Sequence, residues 1–96
     1  MGDLGDGDEP VEVPLKDSLD LHSFDPRDVA SIVEEYLTQA STRGFAEVRL
    51  IHGKGIGVQR RIVHGVLSRH RLVEAFGEAP PERGGWGATI VRLRRR

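Results

Sequence analysis

Two histidines and one aspartate lie where short apolar segments of the sequence end. Asp20 and His22 are two residues apart in an alternating segment, so both side chains leave the same face of a predicted strand. His52 ends a second apolar segment. If these two strands are parallel, all three side chains reach the same edge of the sheet, where open α/β sheets usually bind ligands. Histidine and aspartate side chains at such an edge are suited to general acid–base chemistry.

A glycine-rich segment follows His52 and leads into a predicted helix. Its glycines allow the backbone to adopt positive φ and to approach a ligand closely. The helix offers unpaired N–H groups at the positive end of its dipole, and Lys54 adds a full positive charge. These features predict an anion site suited to phosphate, although a turn that simply requires glycine has the same composition. The residues predicted to bind phosphate or nucleic acid are Gly53, Lys54, Gly55, Gly57, Arg60 and Arg61.

The glycine loop matches neither of two widespread nucleotide-binding motifs. A Walker loop requires Gly, four residues and then Gly-Lys-Ser/Thr, and the chain contains no such run. A dinucleotide-binding fingerprint requires a third glycine where Val58 stands, in a loop after the first strand rather than the second. A small-molecule nucleotide binder is therefore a weaker prediction than a site for the phosphodiester of a nucleic acid.

Local signals predict the elements that position this edge of the sheet. Asp25 and Pro26 are typical of a helix start, and Gly44 is typical of a helix end. Apolar residues recur between them at helical spacing, and a second helix is predicted over Val58–Arg69. Strands are predicted at 18–22, 47–52, 72–76 and 88–93. The order β-α-β-α-β-β predicts an α/β two-layer sandwich with two helices and a mostly parallel, mixed four-stranded sheet.

Charge is distributed unevenly along the 96 residues, which are enough for one domain. Residues 1–20 carry seven acids and one lysine, whereas residues 21–96 carry thirteen basic and eight acidic residues. We expect 1–14 to be an acidic disordered leader, because its few apolar residues cannot offset the entropy of ordering. We expect 15–96 to be the folded domain, with a basic C-terminal end. A basic domain favours a polyanionic partner, and a solvated surface is the plainer alternative.

Composition also limits the class of protein. Cysteine is absent, which excludes disulfides and thiolate-bound metals. The sequence has no apolar stretch of the about 18 residues that suggest a membrane span, and it does not begin like a secretory signal peptide. We therefore expect a cytoplasmic protein without a membrane partner. We also expect a monomer, because no spare apolar face is evident.

Several residues have more than one interpretation. His64 and His70 lie on or after the second predicted helix and are predicted to be surface residues rather than ligands. Trp86 stands in a glycine-rich turn, where it could stack on a base or pack against the sheet edge. Asp20 could orient His22, bind nearby loop amides or help to hold a divalent cation.

Three segments of the chain resemble, in order and spacing, the three motifs of the small MutS-related (Smr) domain family. They are Leu-Asp-Leu-His at 19–22, Ile-His-Gly-Lys-Gly-Ile-Gly at 51–57 and Gly-Ala-Thr-Ile-Val-Arg-Leu at 87–93. The resemblance covers about residues 15–94. It implies a fold like that of the C-terminal domain of bacterial translation initiation factor 3. It also implies nucleic-acid binding, often with endonuclease activity that nicks DNA or cleaves RNA.

Asp20 and His22 match the family's Asp-Leu-His motif, and His52 matches its His-Gly-x-Gly loop. We therefore expect these three residues to be catalytic, with His22 as general base or acid, Asp20 orienting it and His52 in the opposite role. If Asp20 instead holds a metal, the cofactor is Mg²⁺ or Mn²⁺.

Ser23 stands where the family usually has glycine, and its side chain either narrows the approach to the site or supplies a hydroxyl. This departure favours, as an alternative function, a non-catalytic module that binds nucleic acid or the ribosome. In either case the expected partner is DNA or RNA. The domain could also belong to a larger repair or ribosome-associated system.

Overall fold

The order of elements along the chain is the predicted one. The computed structural model describes residues 15–55 and 57–95, so the acidic leader at 1–14 lies outside the described residues. The strands are β1 (Ser18–Asp20), β2 (Glu47–Ile51), β3 (Val73–Glu78) and β4 (Ala88–Leu93). The α-helices are α1 (Pro26–Thr42) and α2 (Val58–Arg69), and two single-turn 3₁₀ helices, Pro81–Arg83 and Gly85–Gly87, precede β4. Within the described residues, no helix is both long enough and apolar enough to span a membrane.

The sheet is mixed, as predicted, but it is not mostly parallel in its pairings. The strand order is β1-β2-β4-β3, with β1 parallel to β2 and with β4 antiparallel to both of its neighbours. Strands β1, β2 and β3 run in the same direction, as expected for strands joined through helices. Strand β4 runs in the opposite direction, and two of the three pairings are antiparallel because β4 turns back after β3 and inserts between β2 and β3.

Both helices pack on one face of the sheet and enclose the core. Helix α1 begins at the predicted cap, since the Asp25 carboxylate accepts a hydrogen bond from the backbone N–H of Arg27 at 2.9 Å. It ends before Gly44, whose φ of 85° is the left-handed conformation that glycine adopts easily. Burying each large apolar side chain contributes about 1.5–3 kcal/mol. The core includes Val29, Val33, Leu37, Val48, Leu50, Val63, Val66, Leu67, Val91 and Leu93.

Tyr36 anchors the segment before β1 to this core through a hydrogen bond. Its hydroxyl donates to the carbonyl oxygen of Lys16 at 2.6 Å. Burial raises the pKa of Tyr36 to about 12, with a smaller contribution from the negative charge of Asp17. Because the backbone N–H of Arg49 on β2 also donates to Asp17 at 2.9 Å, the chain is already held in the sheet before β1 begins.

The connection at 79–87 folds back over the sheet face that the helices leave open. Arg83 donates from Nη1 to the Glu47 carboxylate at 3.0 Å. Arg49 on the same strand donates from Nη1 to the backbone carbonyl of Arg83, also at 3.0 Å. These two bonds hold the 3₁₀ turns against the first half of β2.

Candidate functional site

Parallel pairing of β1 and β2 brings the two predicted histidines to one edge of the sheet. Asp20 is paired with Ile51 at the ends of these strands, so the residues that follow them emerge side by side. His22 and His52 then line a common cavity of about 260 Å³. The cavity is completed by the glycine loop and the first turn of α2. Its lining residues are His22, His52, Gly53, Gly55, Gly57, Val58, Gln59 and Arg60.

Asp20 and His22 form a tight local pair at this edge. One carboxylate oxygen, Oδ1, accepts from the His22 backbone N–H at 3.0 Å and lies 2.6 Å from Nδ1 of the ring. The backbone hydrogen bond and then the ring hydrogen bond lower the pKa of Asp20, so the carboxylate is ionised at neutral pH. An ionised acceptor requires the hydrogen on Nδ1, which leaves the Nε2 lone pair available in the neutral ring. The side chains are 51% and 70% exposed, so this pair is open to solvent.

His52, in contrast, is buried beneath the loop with both ring nitrogens engaged. Its Nδ1 lies 3.1 Å from the carbonyl oxygen of Gly53, and its Nε2 lies 2.9 Å from the hydroxyl of Thr89. Because a carbonyl oxygen can only accept, the neutral ring carries its hydrogen on Nδ1 and accepts the Thr89 hydroxyl hydrogen at Nε2. The residue is only 6% exposed. Through these two contacts, His52 holds the start of the glycine loop in place.

His64 completes a chain of hydrogen bonds through Thr89. Its Nε2 lies 3.0 Å from the Thr89 hydroxyl, and since that hydroxyl gives its hydrogen to His52, His64 is the donor. The ring also packs edge-on against His52 and Phe76, at centroid separations of 6.1 and 5.2 Å. The expectation that His64 is a simple surface residue was therefore wrong. His70 accepts from the backbone N–H of Leu72 at 3.1 Å, away from the cavity.

Burial favours the neutral form of His52 and of His64, the two histidines joined through Thr89. The pKa of His52 is lowered mainly by the loss of hydration on burial. The hydrogen bond to Gly53 raises this pKa, and the positive charge of Arg60 lowers it. Loss of hydration also lowers the pKa of His64, with added effects from Arg60 and His52. The hydrogen bonds that run from His64 to Thr89 and from Thr89 to His52 require both histidine rings to be neutral.

The glycine loop is held in place by one carbonyl group. The Gly87 oxygen accepts from the backbone N–H groups of His52 and Gly53, at 3.1 and 2.9 Å. Gly53 and Gly57 have φ of 84° and 87°, so the loop requires glycine at both positions. Gly57 then caps α2, and the first turn of this helix faces the cavity.

Only one of the three predicted cations lines the cavity. Arg60 lines the cavity, whereas Arg61 lies one residue further along α2 and is exposed. Lys54 turns toward the β3–β4 connection, where its Nζ lies 6.0 Å from the centroid of the Trp86 ring. The lysine predicted to bind phosphate therefore stands beside the exposed tryptophan rather than among the residues that line the cavity.

Gln59 joins the two halves of the site and was not identified from the sequence. Its Nε2 donates to the backbone carbonyl of Phe24 at 2.9 Å, which ties the first turn of α2 to the loop after β1. A glutamine in the first turn of a helix is ordinary, so no sequence signal marked it. Its effect is to hold the segment that carries His22 against the segment that carries the glycine loop.

The residues of this edge do not form a metal centre of their own. Among the described residues, no three His, Cys, Asp or Glu side chains are grouped so that they could hold a metal ion. Asp20 already accepts two hydrogen bonds through Oδ1, which leaves it one carboxylate oxygen to offer. Such a site would bind Mg²⁺ or Mn²⁺ only together with substrate phosphates and water.

Two larger cavities, each of about 460 Å³, lie at the opposite end of the molecule. One lies between the ends of α1 and α2, and the other lies between the end of α1 and the end of β4. None of the residues predicted to be catalytic or to bind phosphate lines either of them. The cavity at the histidine edge is smaller, but six of the nine predicted site residues line it.

Comparison with known proteins identifies the family. The Smr domain model matches residues 19–94. Endonuclease MutS2 of Thermus thermophilus is 38% identical over 76 residues, and endonuclease MutS2 of Geobacillus kaustophilus is 41% identical over 76 residues. Each alignment covers 79% of this chain and 10% of the relative, so the chain spans about a tenth of the length of these curated proteins.

Two solved structures share the fold. The crystal structure of the Smr domain of Thermus thermophilus MutS2 matches with a TM-score of 0.77 at 38% identity, covering 80% of this chain and 96% of that one. YdaL, a stand-alone small MutS-related protein from Escherichia coli, matches with a TM-score of 0.79 at 32% identity, covering 85% and 67%. The resemblance of the three motifs is confirmed, and the chain belongs to the Smr domain family.

Proposed function

We propose that this chain is an endonuclease domain that cleaves a phosphodiester bond of DNA or RNA, with His22 as the proton acceptor. The observation that carries the proposal is the Asp20–His22 pair beside a cavity built from a glycine loop and a helix N-terminus. The MutS2 relatives are named endonucleases, which supports the same chemistry for this domain.

Asp20 gives His22 the tautomer that a general base requires. With the Nδ1 hydrogen bound to the carboxylate at 2.6 Å, the lone pair of the neutral ring is on Nε2. A water molecule or a ribose 2′-hydroxyl that attacks phosphorus can transfer its proton to Nε2 while the bond to the leaving oxygen breaks. The carboxylate stabilises the imidazolium that forms, and the leaving oxygen takes a proton from solvent.

The N-terminus of α2 is placed to hold the phosphate. The N–H groups of Val58 and Gln59 precede the first intrahelical bond, which runs from Arg61 to Gly57 at 3.0 Å. Groups in this position are available to an anion, and the helix dipole favours negative charge there. Arg60 adds a full positive charge to the same cavity. Such donors stabilise the charge that grows on the phosphoryl oxygens during cleavage.

His52 has a positioning role in this proposal, rather than the acid–base role that its motif suggests. Both of its ring nitrogens are bound to protein atoms, one to Gly53 and one to Thr89. Exchanging a proton with substrate would first require one of these bonds to break. The ring instead sets the course of the loop that leads to the helix N-terminus.

A binding module without catalysis is the second candidate function. The openness of the Asp20–His22 pair favours it, because cleavage sites usually exclude bulk water more fully. Ser23, which is exposed where the family usually has glycine, adds a side chain next to His22. In this alternative the same edge holds a nucleic-acid backbone, and affinity falls steeply with salt because phosphate contacts release counterions.

A cleavage assay with matched variants separates the two functions. The full chain is incubated with supercoiled plasmid and with single-stranded RNA, in Mg²⁺, Mn²⁺ or EDTA. We expect His22→Ala to lower the cleavage rate by about 10²-fold or more, the usual contribution of a general base. Arg27→Ala is the control, because it removes an exposed charge from the same region without touching the cavity.

Each outcome of this assay has a defined meaning. Cleavage by the wild type and by Arg27→Ala, but not by folded His22→Ala, supports the endonuclease. Cleavage that persists in EDTA supports acid–base chemistry without a metal, whereas loss in EDTA supports a cation shared by Asp20 and substrate. Binding without cleavage by every variant would overturn the endonuclease and favour the binding module.

A further inference from the structure

Trp86 is exposed on a well-fixed turn beside the glycine loop. It is the only tryptophan of the chain and is 45% exposed. The turn that carries it is held by the carbonyl of Pro80, which accepts from the backbone N–H groups of Arg83 and Gly85 at 2.8 and 3.0 Å. These bonds fix the backbone of the turn, and nearly half of the surface of Trp86 is exposed to solvent.

Lys54 lies over one face of this ring. A Cβ atom at Gly87 would approach Cγ of Lys54 to 2.9 Å, so glycine at this position makes room for the lysine stem. The stem therefore lies across Gly87, and Nζ reaches to 6.0 Å from the ring centroid of Trp86. An aromatic ring beside a cation is the pairing that binds single-stranded nucleic acid, with a base on the ring and a phosphate near the charge.

Hydrogen bonds connect this pair to the cavity. The residue after Trp86 is Gly87, whose carbonyl holds the N–H groups of His52 and Gly53 at 3.1 and 2.9 Å. Both of those residues line the cavity. The exposed ring and the candidate phosphate site are therefore parts of one hydrogen-bonded unit, and their relative positions are set by the backbone.

We propose that Trp86 and Lys54 form a base-stacking subsite for an unpaired nucleotide next to the phosphate in the cavity. A base inside a duplex is already stacked on both faces, so only an unpaired or flipped-out base can stack on the ring. The inference rests on the proposed function and deepens it, because it assigns to the domain a substrate that is single-stranded at the cleavage site.

Tryptophan fluorescence tests this subsite directly, because emission excited where tyrosine does not absorb comes from Trp86 alone. The full chain is titrated with a short single-stranded oligothymidine, with an abasic strand of the same length and with the corresponding duplex. We expect the base-bearing strand to quench and shift the emission, and the abasic strand to bind without quenching. Equal quenching by the abasic strand, or no quenching by either, would overturn the subsite.

Two substitutions separate stacking from charge. Trp86→Ala is expected to weaken binding of the base-bearing strand roughly tenfold and to leave the abasic strand unaffected, while Trp86→Phe retains most of the affinity. Lys54→Gln is expected to reduce the slope of log affinity against log salt by about one, whereas Lys16→Gln, another exposed lysine, is not. Unchanged affinity of folded Trp86→Ala for the base-bearing strand contradicts the proposal.

The His22→Ala variant distinguishes failure of the subsite from failure of the proposed function. If it loses cleavage but its Trp86 emission is still quenched, both inferences stand. If it cleaves like the wild type while quenching persists, the assignment of His22 fails and the subsite stands. If cleavage depends on His22 but no base-bearing strand quenches Trp86, the subsite fails and the endonuclease stands.

Discussion

The Nδ1 atom of His22 lies 2.6 Å from Oδ1 of Asp20, and the backbone N–H of the same histidine donates to the same oxygen at 3.0 Å. One carboxylate oxygen thus closes a small turn and orients the ring that follows it. The position of the ring is set by two residues at the end of β1 and requires no distant contact. This explains how an exposed histidine can have a defined tautomer.

Replacing Asp20 by asparagine tests this orientation. The amide can donate to Nδ1, which favours the tautomer that carries its hydrogen on Nε2, and it cannot stabilise an imidazolium. We expect Asp20→Asn to lower the single-turnover cleavage rate by about 10²-fold or more, with little loss of nucleic-acid affinity. Asp28→Asn, at an exposed position in the first turn of α1, is the matched control. Equal rates for the two variants would argue against a role for the pair.

The hydroxyl of Thr89 is expected to matter for stability. Thr89→Val keeps the shape of the side chain but leaves Nε2 of His52 and of His64 without the partner that both share. An unpaired buried polar group costs about 1–3 kcal/mol, so we expect urea denaturation to show a loss of that order. Thr42→Val removes an exposed hydroxyl from α1 and should cost much less. Similar losses in both variants would show that the shared hydroxyl is not a stabilising link.

Stability is expected to fall as pH drops below about 6.5, the ordinary pKa of histidine. Burial lowers the pKa of His52 and of His64 in the folded protein, so the unfolded chain binds more protons in this range. The loss of stability begins as the pH falls below the histidine pKa of the unfolded chain, and it levels off below the pKa of the same histidines in the folded protein. Denaturation curves measured between pH 7.5 and 5 test this. His64→Gln retains a donor for Thr89 but does not titrate, so an unchanged pH dependence in this variant would contradict the assignment.

Two glycines of the same region are expected to respond to alanine in opposite ways. Gly57 has a φ of 87°, so Gly57→Ala strains the backbone by about 1–2 kcal/mol, although a Cβ there meets no described atom within 4 Å. Gly65 lies inside α2, where alanine favours the helix by about 0.8–1 kcal/mol and its Cβ would lie 3.5 Å from Arg69. Thermal denaturation should separate the two, and only Gly57→Ala should also weaken nucleic-acid binding. If Gly57→Ala is as stable as the wild type and binds nucleic acid equally well, the loop does not need a glycine in the left-handed conformation at this position.

Elements with local signals were predictable from the sequence. The start of α1 depends on Asp25 and Pro26, and the carboxyl-end placement of His22 and His52 follows from two strands joined by one helix. The place of β4 was not predictable in this way. Its insertion between β2 and β3 depends on the turns at 79–87 and on the contacts of Arg83 with Glu47 and Arg49, which join positions distant in sequence.

The hydrogen bonds among His52, Thr89 and His64 were likewise not predictable from local sequence signals. Thr89 is 37 residues from His52 and 25 from His64, so no local pattern joins them. The available signal was a lone threonine at an inward-facing position of a strand that is otherwise apolar on that face. The direction of the Lys54 side chain could not be predicted for a different reason, because periodicity does not fix the direction of a side chain in a glycine loop. Its course depends on the absence of a Cβ at Gly87.

Chemical rescue tests the central claim, that His22 takes the proton while His52 holds the loop. Single-turnover cleavage of single-stranded RNA is measured for His22→Ala and His52→Asn, with and without added imidazole. We expect imidazole to restore part of the rate of His22→Ala, in proportion to its free-base form, and to leave the low rate of His52→Asn unchanged. Rescue of His52→Asn without rescue of His22→Ala would contradict the account, as would a wild-type chain that binds the RNA and never cleaves it.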